Sequence, residues 1–365
     1  MTTVDPLLSE TAARVFADHA TFAAVEQAEA DGWAPAMWAA VAETGLPWVS
    51  VSAAAGGSGG TLADAIEIVR LAGFHAVPLP LAETGLLAGW LLEGAGLELP
   101  AGAVTVVPGA PADSLVLRDG VLHGRVTRVP WARAVDGIVA LLDGRDGPTV
   151  VVVDPASTQI GSAVNLAGEP RDTVTFDGVT PRAAARAAAG VDARALRRRG
   201  SLARTAAMAG ALEHLAALTI EYTTTRRQFG RVLADFQAVQ AHLVHGAQHA
   251  ELVNTALAAA TVAAARGPAE MEIAAAKLLA DRAAGEASSH AHQAHGAMGM
   301  TREYPLHHLT RRLWSWRSEY GDEQSCSRVV GELARNAGAD HLYELVADGS
   351  RALEPLAAGE ARDHT

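Results

Sequence analysis

The sequence predicts an α+β protein in which a small β domain lies between two helical domains. In residues 1–101 and 183–365, apolar side chains recur at the three- and four-residue spacing of amphipathic helices. In residues 102–182 the pattern changes to short Val-rich runs separated by Asp-Gly dipeptides, which are typical of strands and tight turns. The expected plan is therefore an N-terminal helical domain, a central β domain and a C-terminal helical bundle.

The N-terminal domain carries recognisable helix boundaries. Asp5-Pro6 matches an N-cap followed by a first-turn proline, and Gly32 and Gly45 stand where helices are expected to end. Residues 55–60 (AGGSGG) precede the next helix. Because no strand precedes this loop and the spacing of a phosphate-binding motif is absent, we expect a mobile surface loop there.

Six apolar runs predict the strands of the central domain. Asp119-Gly120 and Asp177-Gly178 are among the dipeptides that separate them, and Asp-Gly is a strong hairpin signal. Short strands joined by tight turns predict a meander or a barrel. The runs cover residues 104–107, 115–117, 121–123, 138–142, 150–153 and 173–176.

The C-terminal domain begins with the basic run 194–200, which predicts a connector, followed by a long helix over 201–224. A second helix is expected to start near Leu233, because apolar residues follow at helical spacing. The residues on this expected helix face are Phe229, Leu233, Phe236, Gln240 and Leu243. Further helices are predicted from about residue 267 to 295, over 302–319 and over 322–337.

Composition argues against several classes of protein. A formal charge of −12 and a pI of about 5.6 disfavour a nucleic-acid partner, so local arginine clusters must meet any anionic ligand. Cys326 is the only cysteine, which leaves no disulfide framework and no thiolate zinc site. There is neither a signal-peptide pattern nor an apolar run of about 20 residues, so we expect a cytoplasmic protein without a membrane span.

The histidine patterns predict no metal site. His290, His292 and His295 do not all share one helix face, and no carboxylate pair completes a ligand set. A second group, also without evident partners, comprises His242, His245 and His249. Both groups are expected to serve packing or to lie on the surface.

Residues 226–230 (RRQFG) form the most informative stretch. Arginine binds phosphate in bidentate fashion, an adjacent aromatic ring can cover an extended ligand, and Gly230 permits unusual backbone angles. From the local residues alone, a polar corner between two helices is the simpler interpretation. Residues 293–299 (QAHGAMG) offer backbone amides and a glutamine side chain, or merely a glycine C-cap. Glu303 and Glu319 are surface or ion-pair acids unless one is buried beside a substrate.

Taken together, these motifs resemble the C-terminal bundle of the flavin-dependent acyl-CoA dehydrogenases. The order of the two motifs, their separation and the helix–β–helix plan match over essentially the whole chain. The resembling residues are Arg226-x-Gln228-Phe229-Gly230 with Phe236-Gln237, and Gln293-x-His295-Gly296-x-x-Gly299-x-Thr301-x-Glu303.

The resemblance implies FAD as cofactor, held between the β domain and the bundle and closed over by a neighbouring subunit. It implies that Arg226 pairs with the pyrophosphate, that Phe229 packs on the cofactor and that Gln237 adds a polar contact. Gln293 and Gly296 would approach the ADP portion. A fixed bidentate cation suits phosphate, and glycine allows close backbone approach. Because these residues would serve the flavin of the partner subunit, an oligomer is implied.

The family's reaction removes the α-proton of an acyl-CoA thioester with a glutamate base while the β-hydride passes to flavin. This sequence departs from the family pattern at the base. Tyr320 stands before Gly321, where many members carry the glutamate, and Glu319 lies one residue earlier. The alternative base position, just before an arginine in the first bundle helix, is matched by Ala203-Arg204. The usual Thr-Glu-Pro and Gly-Ser-Asp segments of the β domain are also missing.

Two hypotheses follow from the resemblance. In the first, the chain is an active acyl-CoA dehydrogenase with Glu319 as a displaced base and an external electron-transfer acceptor. In the second, which the missing motifs favour, it lacks a base and completes the FAD site of a second acyl-CoA dehydrogenase-like chain. The chain resembles the short actinobacterial-type members, some of which form such mixed α2β2 tetramers and act on CoA esters of bulky acids such as steroid side chains. A third possibility is a helical scaffold that has lost cofactor binding.

Overall fold

The computed structural model describes residues 4–109, 113–144 and 147–350. Within these residues the chain forms N-terminal helices, a middle region of small β-sheets and a C-terminal helical region, in the predicted order. The predicted bundle extends to residue 365, and its part over 351–365 lies outside the described residues.

The N-terminal helices have the boundaries that their caps predict. The Asp5 side chain accepts a hydrogen bond from the backbone N–H of Leu7 at 2.9 Å, and Gly32 ends the second helix with φ of 76°. Thr61 and Asp64 form a capping box at the start of the fourth helix. The helices are α1 (Pro6–His19), α2 (Phe22–Asp31), α3 (Pro35–Glu43), α4 (Leu62–Phe74), and α5 (Trp90–Gly94) after a π-helical segment over Ala82–Gly89.

The β domain consists of two four-stranded sheets, so the expected meander or barrel is wrong. The sheet orders are β1-β4-β5-β8 and β2-β3-β7-β6, and β1 pairs with β4 in parallel. That crossover separates strands that a meander would pair in sequence order. Both sheets contribute apolar side chains to one core, including Val126, Val151 and Phe176. The strands are β1 (Val104–Val106), β2 (Ser114–Arg118), β3 (Val121–Pro130), β4 (Gly137–Leu142), β5 (Thr149–Val153), β6 (Gln159–Gly161), β7 (Arg171–Val179) and β8 (Ala183–Arg186).

The first long helix of the bundle begins at Ala193, earlier than the predicted start at residue 201. Residues 194–200 form the first turns of α6 rather than a connector, because the Asp192 side chain caps the backbone N–H of Ala195 at 2.7 Å. The elements are α6 (Ala193–Thr225), β9 (Arg227–Gln228), β10 (Arg231–Val232), α7 (Gln237–Ala264), α8 (Glu270–His295), α9 (Leu306–Trp316), α10 (Glu323–Ala337) and α11 (Leu342–Asp348).

Small residues let the N-terminal domain and the bundle approach closely. A Cβ placed on Gly210 of α6 would lie 1.8 Å from the carbonyl oxygen of Arg70 in α4. A Cβ on Gly73 would lie 2.0 Å from the carbonyl oxygen of Ala207. The two helices therefore touch through their backbones, which agrees with the low aromatic content. Within the described part of the chain, every helix is too short or too polar to cross a membrane.

Candidate cofactor-binding and catalytic sites

The predicted phosphate-binding stretch forms an exposed hairpin between α6 and α7. β9 and β10 pair around a two-residue turn in which Phe229 and Gly230 both have positive φ, 52° and 81°. This turn, followed by a 3-10 segment over Leu233–Asp235, delays the start of α7 to Gln237. The helix expected to start near Leu233 is thus four residues shorter, because turn geometry overrides the apolar spacing.

Phe229 is held out into solvent by a backbone conformation that bulky residues rarely adopt. Its side chain is 91% exposed, and its ring makes an edge contact with Phe236 at 6.2 Å between centroids. A left-handed backbone at an aromatic residue costs about 1–3 kcal/mol and is commonly found at ligand sites. The hairpin therefore presents an aromatic ring to solvent in a strained conformation.

The structure brings the two predicted motifs to the same end of the bundle. Tyr222, one turn before Arg226, stacks on His295 with ring centroids 4.5 Å apart. Tyr304 packs against both rings, at 5.5 Å from Tyr222 and 5.0 Å from His295. Because His295 lies between Gln293 and Gly296 in sequence, this aromatic stack fixes the hairpin beside the C-terminal end of α8.

The residues predicted to contact FAD all lie on the exposed surface of that end. They are Arg226, Phe229, Gln237, Gln293 and Gly296. Gly296 has φ of 60° and ψ of −139°, and a Cβ there would meet nothing within 4 Å. Internal packing therefore does not require glycine at this position. The backbone conformation does, and it leaves the surface open to a ligand or a second chain.

A cleft of about 250 Å³ is lined by residues of both the β domain and the bundle. A second cavity, of about 340 Å³, lies within the bundle and shares Arg197, Tyr320, Gly321 and Ser325 with the cleft as lining residues. Glu319 borders only the smaller of the two. The predicted base and the residue in the family's base position thus both stand at this cleft.

Glu319 is held there by two buried arginines. Its Oε1 accepts from Nε of Arg171 at 2.7 Å, and its Oε2 accepts from Nε of Arg204 at 2.6 Å. Arg204 also pairs with Glu83. The side chains of Arg171 and Arg204 are each only 5% exposed. Both carboxylate oxygens of Glu319 are therefore committed to structural contacts.

These contacts belong to a longer series of buried charges, here called the ion-pair chain. Arg171 also pairs with Glu169 at 3.0 Å, which lies 3.5 Å from Nε of Arg312. The four carboxylates are balanced by four guanidiniums, so the series adds no net charge to the interior. In order its members are Glu83, Arg204, Glu319, Arg171, Glu169, Arg312, Glu29 and Arg311. It ties the N-terminal domain, the β domain and the bundle together.

The ion-pair chain makes Glu319 a weak base. Burial alone would raise the pKa of its carboxyl, but the charges of Arg171 and Arg204 and their hydrogen bonds lower it to about 2. A general base works best when its pKa lies near the working pH. A carboxylate that takes up a proton only near pH 2 has little tendency to remove one from a thioester.

Tyr320, in the family's base position, is equally unsuited to that role. Burial and the nearby Glu83 carboxylate raise the pKa of its phenol, so it stays neutral at physiological pH. Its φ is 56°, and its ring occupies the space above Gly200, where a Cβ would lie 2.1 Å from a ring carbon. The Arg204 guanidinium lies 5.8 Å from the ring centroid. Tyr320 therefore fills part of the cleft.

A buried lysine fixes the segment that carries these two residues. Nζ of Lys277 donates to the carbonyl oxygens of Arg317 and Gly321, at 3.1 Å and 3.0 Å, and to Asp281 at 2.5 Å. Lys277 is fully buried, and each of the three N–H groups of its ammonium has one of these acceptors. Burial nevertheless raises the pKa of the Asp281 carboxyl to about 6. Lys277 therefore fixes both ends of the 317–321 segment through its hydrogen bonds.

The low pKa of Glu319 predicts a pH dependence of stability. Because its pKa falls from 4.5 to about 2 on folding, its contribution is complete above pH 4.5 and is lost as the pH falls toward 2. We expect the stability difference between wild type and Glu319→Gln to shrink by about 1 kcal/mol between pH 6 and pH 3.5. Urea unfolding at both pH values measures this, with Glu303→Gln on the surface as control. A difference that stays constant would contradict it.

Several members of the ion-pair chain were missed by sequence reasoning. Glu83 is an acid in an apolar helical segment, and Glu169 and Arg171 flank a proline directly before a Val-rich strand. An isolated charge in an apolar segment, as at Glu83, is a signal for a buried ion pair, whereas the charged run over residues 169–172 carries no such signal. Trp131, whose ring lies 4.9 Å from the Arg171 guanidinium, is a further buried residue at this junction.

Comparison with known proteins shows the family to which the chain is similar. The model of the acyl-CoA dehydrogenase C-terminal domain matches residues 195–332. The chain is 30% identical over 313 residues to the acyl-CoA dehydrogenase IpdE2 of Mycobacterium tuberculosis, covering 84% of this chain and 89% of that one. It is 25% identical over 308 residues to the acyl-CoA dehydrogenase FadE27 of the same organism, covering 74% and 80%.

Solved structures show the same fold. The steroid ACAD Tcur3481-Tcur3483 aligns with a TM-score of 0.81 at 24% identity, covering 90% of this chain and 97% of that one. The ChsE4-ChsE5 complex from Mycobacterium tuberculosis aligns with a TM-score of 0.82 at 21% identity, covering 93% and 100%. With the identity to IpdE2 over most of both chains, these findings establish that the chain belongs to the acyl-CoA dehydrogenase family.

Proposed function

We propose that this chain completes the FAD site of a second acyl-CoA dehydrogenase-like chain and does not itself remove the substrate proton. One contrast carries the proposal. The residues that resemble a flavin-binding site are exposed on the hairpin and at the adjoining helix ends, with Phe229 91% exposed, whereas both carboxylate oxygens of Glu319 are bound by two buried arginines. The chain is thus arranged to hold a cofactor that lies outside it.

The exposed residues fit the chemistry of FAD. The Arg226 guanidinium can direct two N–H groups at a pyrophosphate, and Arg227 and Arg231 on the same hairpin add positive charge. Such local charge matters because the whole chain carries −12. Phe229 offers an apolar face to the cofactor. Gln237 would add a polar contact, and Gln293 and the open backbone at Gly296 would meet the ADP portion.

The catalytic step divides between two chains in this proposal. FAD, when bound, accepts the β-hydride of the acyl-CoA thioester. Removal of the α-proton needs a base with a pKa near the working pH, and neither Glu319 nor Tyr320 meets that requirement. We therefore assign proton removal to the partner chain. The chain described here contributes cofactor binding, through Arg226 and Phe229, and the shape of the shared assembly.

The substrate class follows from the family and from similar structures. The proposed reaction is α,β-dehydrogenation of an acyl-CoA thioester, with an external protein as electron acceptor and a cytoplasmic location. One protein of similar fold is described as a steroid ACAD, and another is a complex of two chains. The first supports CoA esters of bulky acids such as steroid side chains as the proposed substrates, and the second supports assembly with an unlike chain, which we propose to be a mixed tetramer.

Purification of the chain alone and with a partner tests the proposal. The partner is chosen from acyl-CoA dehydrogenase-like chains, starting with any whose gene proves to neighbour the gene of this chain. We expect a colourless protein that does not retain added FAD, and a yellow complex when the two chains are produced together. A chain that retains flavin alone and is bleached anaerobically by an acyl-CoA would contradict the proposal and favour the hypothesis of Glu319 as base. Failure to bind flavin in either form would favour the helical scaffold.

A further inference from the structure

A cluster of metal-ligating side chains lies where α2 meets α9. Glu26 projects from α2, and His307 and His308 stand in the first turn of α9. One carboxylate oxygen of Glu26 and one nitrogen of each histidine lie within 4.8 Å of one another. We propose that these three residues bind a divalent transition-metal ion of the Zn²⁺ type, which ties the N-terminal domain to the bundle. This inference does not depend on the proposed function.

The distances suit a tetrahedral ion. Glu26 Oε1 lies 3.3 Å from His308 Nε2 and 3.7 Å from His307 Nε2. With Zn–N and Zn–O bonds of about 2.0–2.2 Å, two ligand atoms of a tetrahedral site lie about 3.3–3.6 Å apart. Small side-chain adjustments would therefore bring all three atoms into the coordination shell.

Two of the ligand atoms make no hydrogen bond within the described residues. They are Glu26 Oε1 and His308 Nε2, which are buried and lie 3.3 Å apart, and His308 as a whole is only 3% exposed. Nδ1 of His308 lies 3.1 Å from the Glu29 carboxylate and donates its proton there. That contact leaves a lone pair on Nε2, and a carboxylate behind a metal-binding histidine is the usual supporting arrangement.

His307 can complete the site by a change of tautomer. Its Nε2 lies 3.1 Å from the carbonyl oxygen of Arg302, and its Nδ1 accepts from Arg311 at 3.1 Å. Metal binding at Nε2 would move the ring proton to Nδ1, with no net proton release. Arg311 would then lose its contact with Nδ1 but keep its ion pair with Glu29, at 2.5 Å, and its hydrogen bond to the His307 carbonyl oxygen, at 3.3 Å. The Arg302 carbonyl or a water molecule is available as fourth ligand.

Neighbouring guanidiniums compete for the acids without blocking the site. Arg302 lies 3.4 Å from the other oxygen of Glu26, but its side chain is 83% exposed and its charge is screened. Arg311 and Arg312 are both engaged with Glu29. The alternative occupant is a proton, with His308 as an imidazolium between Glu26 and Glu29. The metal is favoured because it also uses His307, and two imidazoles with one carboxylate select Zn²⁺, Ni²⁺ or Co²⁺ over Mg²⁺.

Titration of the untagged full-length chain with Co²⁺ tests this proposal. After treatment with EDTA, we expect one Co²⁺ to bind per chain with the visible absorption of a four-coordinate ion, and Zn²⁺ to displace it. Mg²⁺ should not compete. Glu26→Gln and His307→Gln should each weaken Co²⁺ binding by more than about tenfold while circular dichroism stays unchanged. Arg302→Gln, which removes a competing positive charge, should tighten binding.

The matched control is His242→Gln. His242 and His290 form a second histidine pair, with Nδ1 atoms 2.9 Å apart on the surface of α7 and α8. This variant should keep wild-type Co²⁺ binding. The proposal is overturned if wild type binds no Co²⁺, if Glu26→Gln and His307→Gln bind as well as wild type, or if His242→Gln loses the ion. If wild type binds no Co²⁺, the space between Glu26 and His308 holds a proton rather than a metal ion.

Discussion

Replacing Arg204 with methionine is expected to lower the free energy of unfolding by about 3–5 kcal/mol, because it leaves buried carboxylates without their cation. Glu83 is 1% exposed and pairs with Arg204, and Glu319 would keep only Arg171. Methionine preserves much of the arginine's apolar volume, so the loss reports the missing charge rather than a cavity. Chemical unfolding at pH 7 measures the change.

Arg194→Met is the matched control for that experiment. Arg194 belongs to the same helix and pairs with Glu270, but its side chain is 67% exposed. Solvent screening reduces the contribution of such an ion pair to the free energy of unfolding to about 0–1 kcal/mol. If the two variants lost equal stability, or if Arg204→Met were as stable as wild type, the ion-pair chain would not be the junction of the three domains that we infer.

Replacing Arg226 with methionine is expected to lower the FAD affinity of the mixed assembly by about 10- to 100-fold. A charge-assisted, bidentate contact with phosphate is worth about 1.5–3 kcal/mol, which corresponds to that range. The stability of the chain should hardly change, because Arg226 is exposed and lies at the end of α6. Flavin fluorescence on titration of the apo assembly with FAD measures the affinity.

Arg227→Met separates a specific contact from a general charge effect. Arg227 is the next residue, is equally exposed and makes only a 3.4 Å contact with the Gly230 carbonyl. Its loss removes the same charge and should change FAD affinity less than about threefold. Equal effects of the two substitutions would indicate that the hairpin acts only through its overall charge.

The sequence was sufficient to predict those features that depend on residues close together in the chain. Helical and strand periodicity predicted the order of the three domains, and Asp5 and Gly32 marked helix ends correctly. The flavin-like motif was recognisable because Arg226 and Phe229 lie three residues apart. The start of α7 was predicted four residues early. The hairpin turn at Phe229 and Gly230 and the 3-10 segment after it occupy residues whose apolar spacing had suggested a helix.

Features that depend on distant residues could not be predicted. The ion-pair chain joins Glu83, Arg171, Arg204 and Glu319, which belong to different domains and share no local pattern. The same is true of the cluster at α2 and α9. His307 and His308 are adjacent in sequence, but their acidic partner Glu26 comes from the N-terminal domain. Only the packing of the three domains brings these groups together.

The flavin content of the purified mixed assembly tests the central claim most directly. If the exposed residues of this chain contact the FAD of its partner, and this chain binds no FAD of its own, the assembly should contain one FAD for each pair of unlike chains. Denaturing the complex and measuring released flavin against both polypeptides gives this ratio. Two FAD for each pair would show that the cleft beside Glu319 also holds a flavin, and would contradict the account.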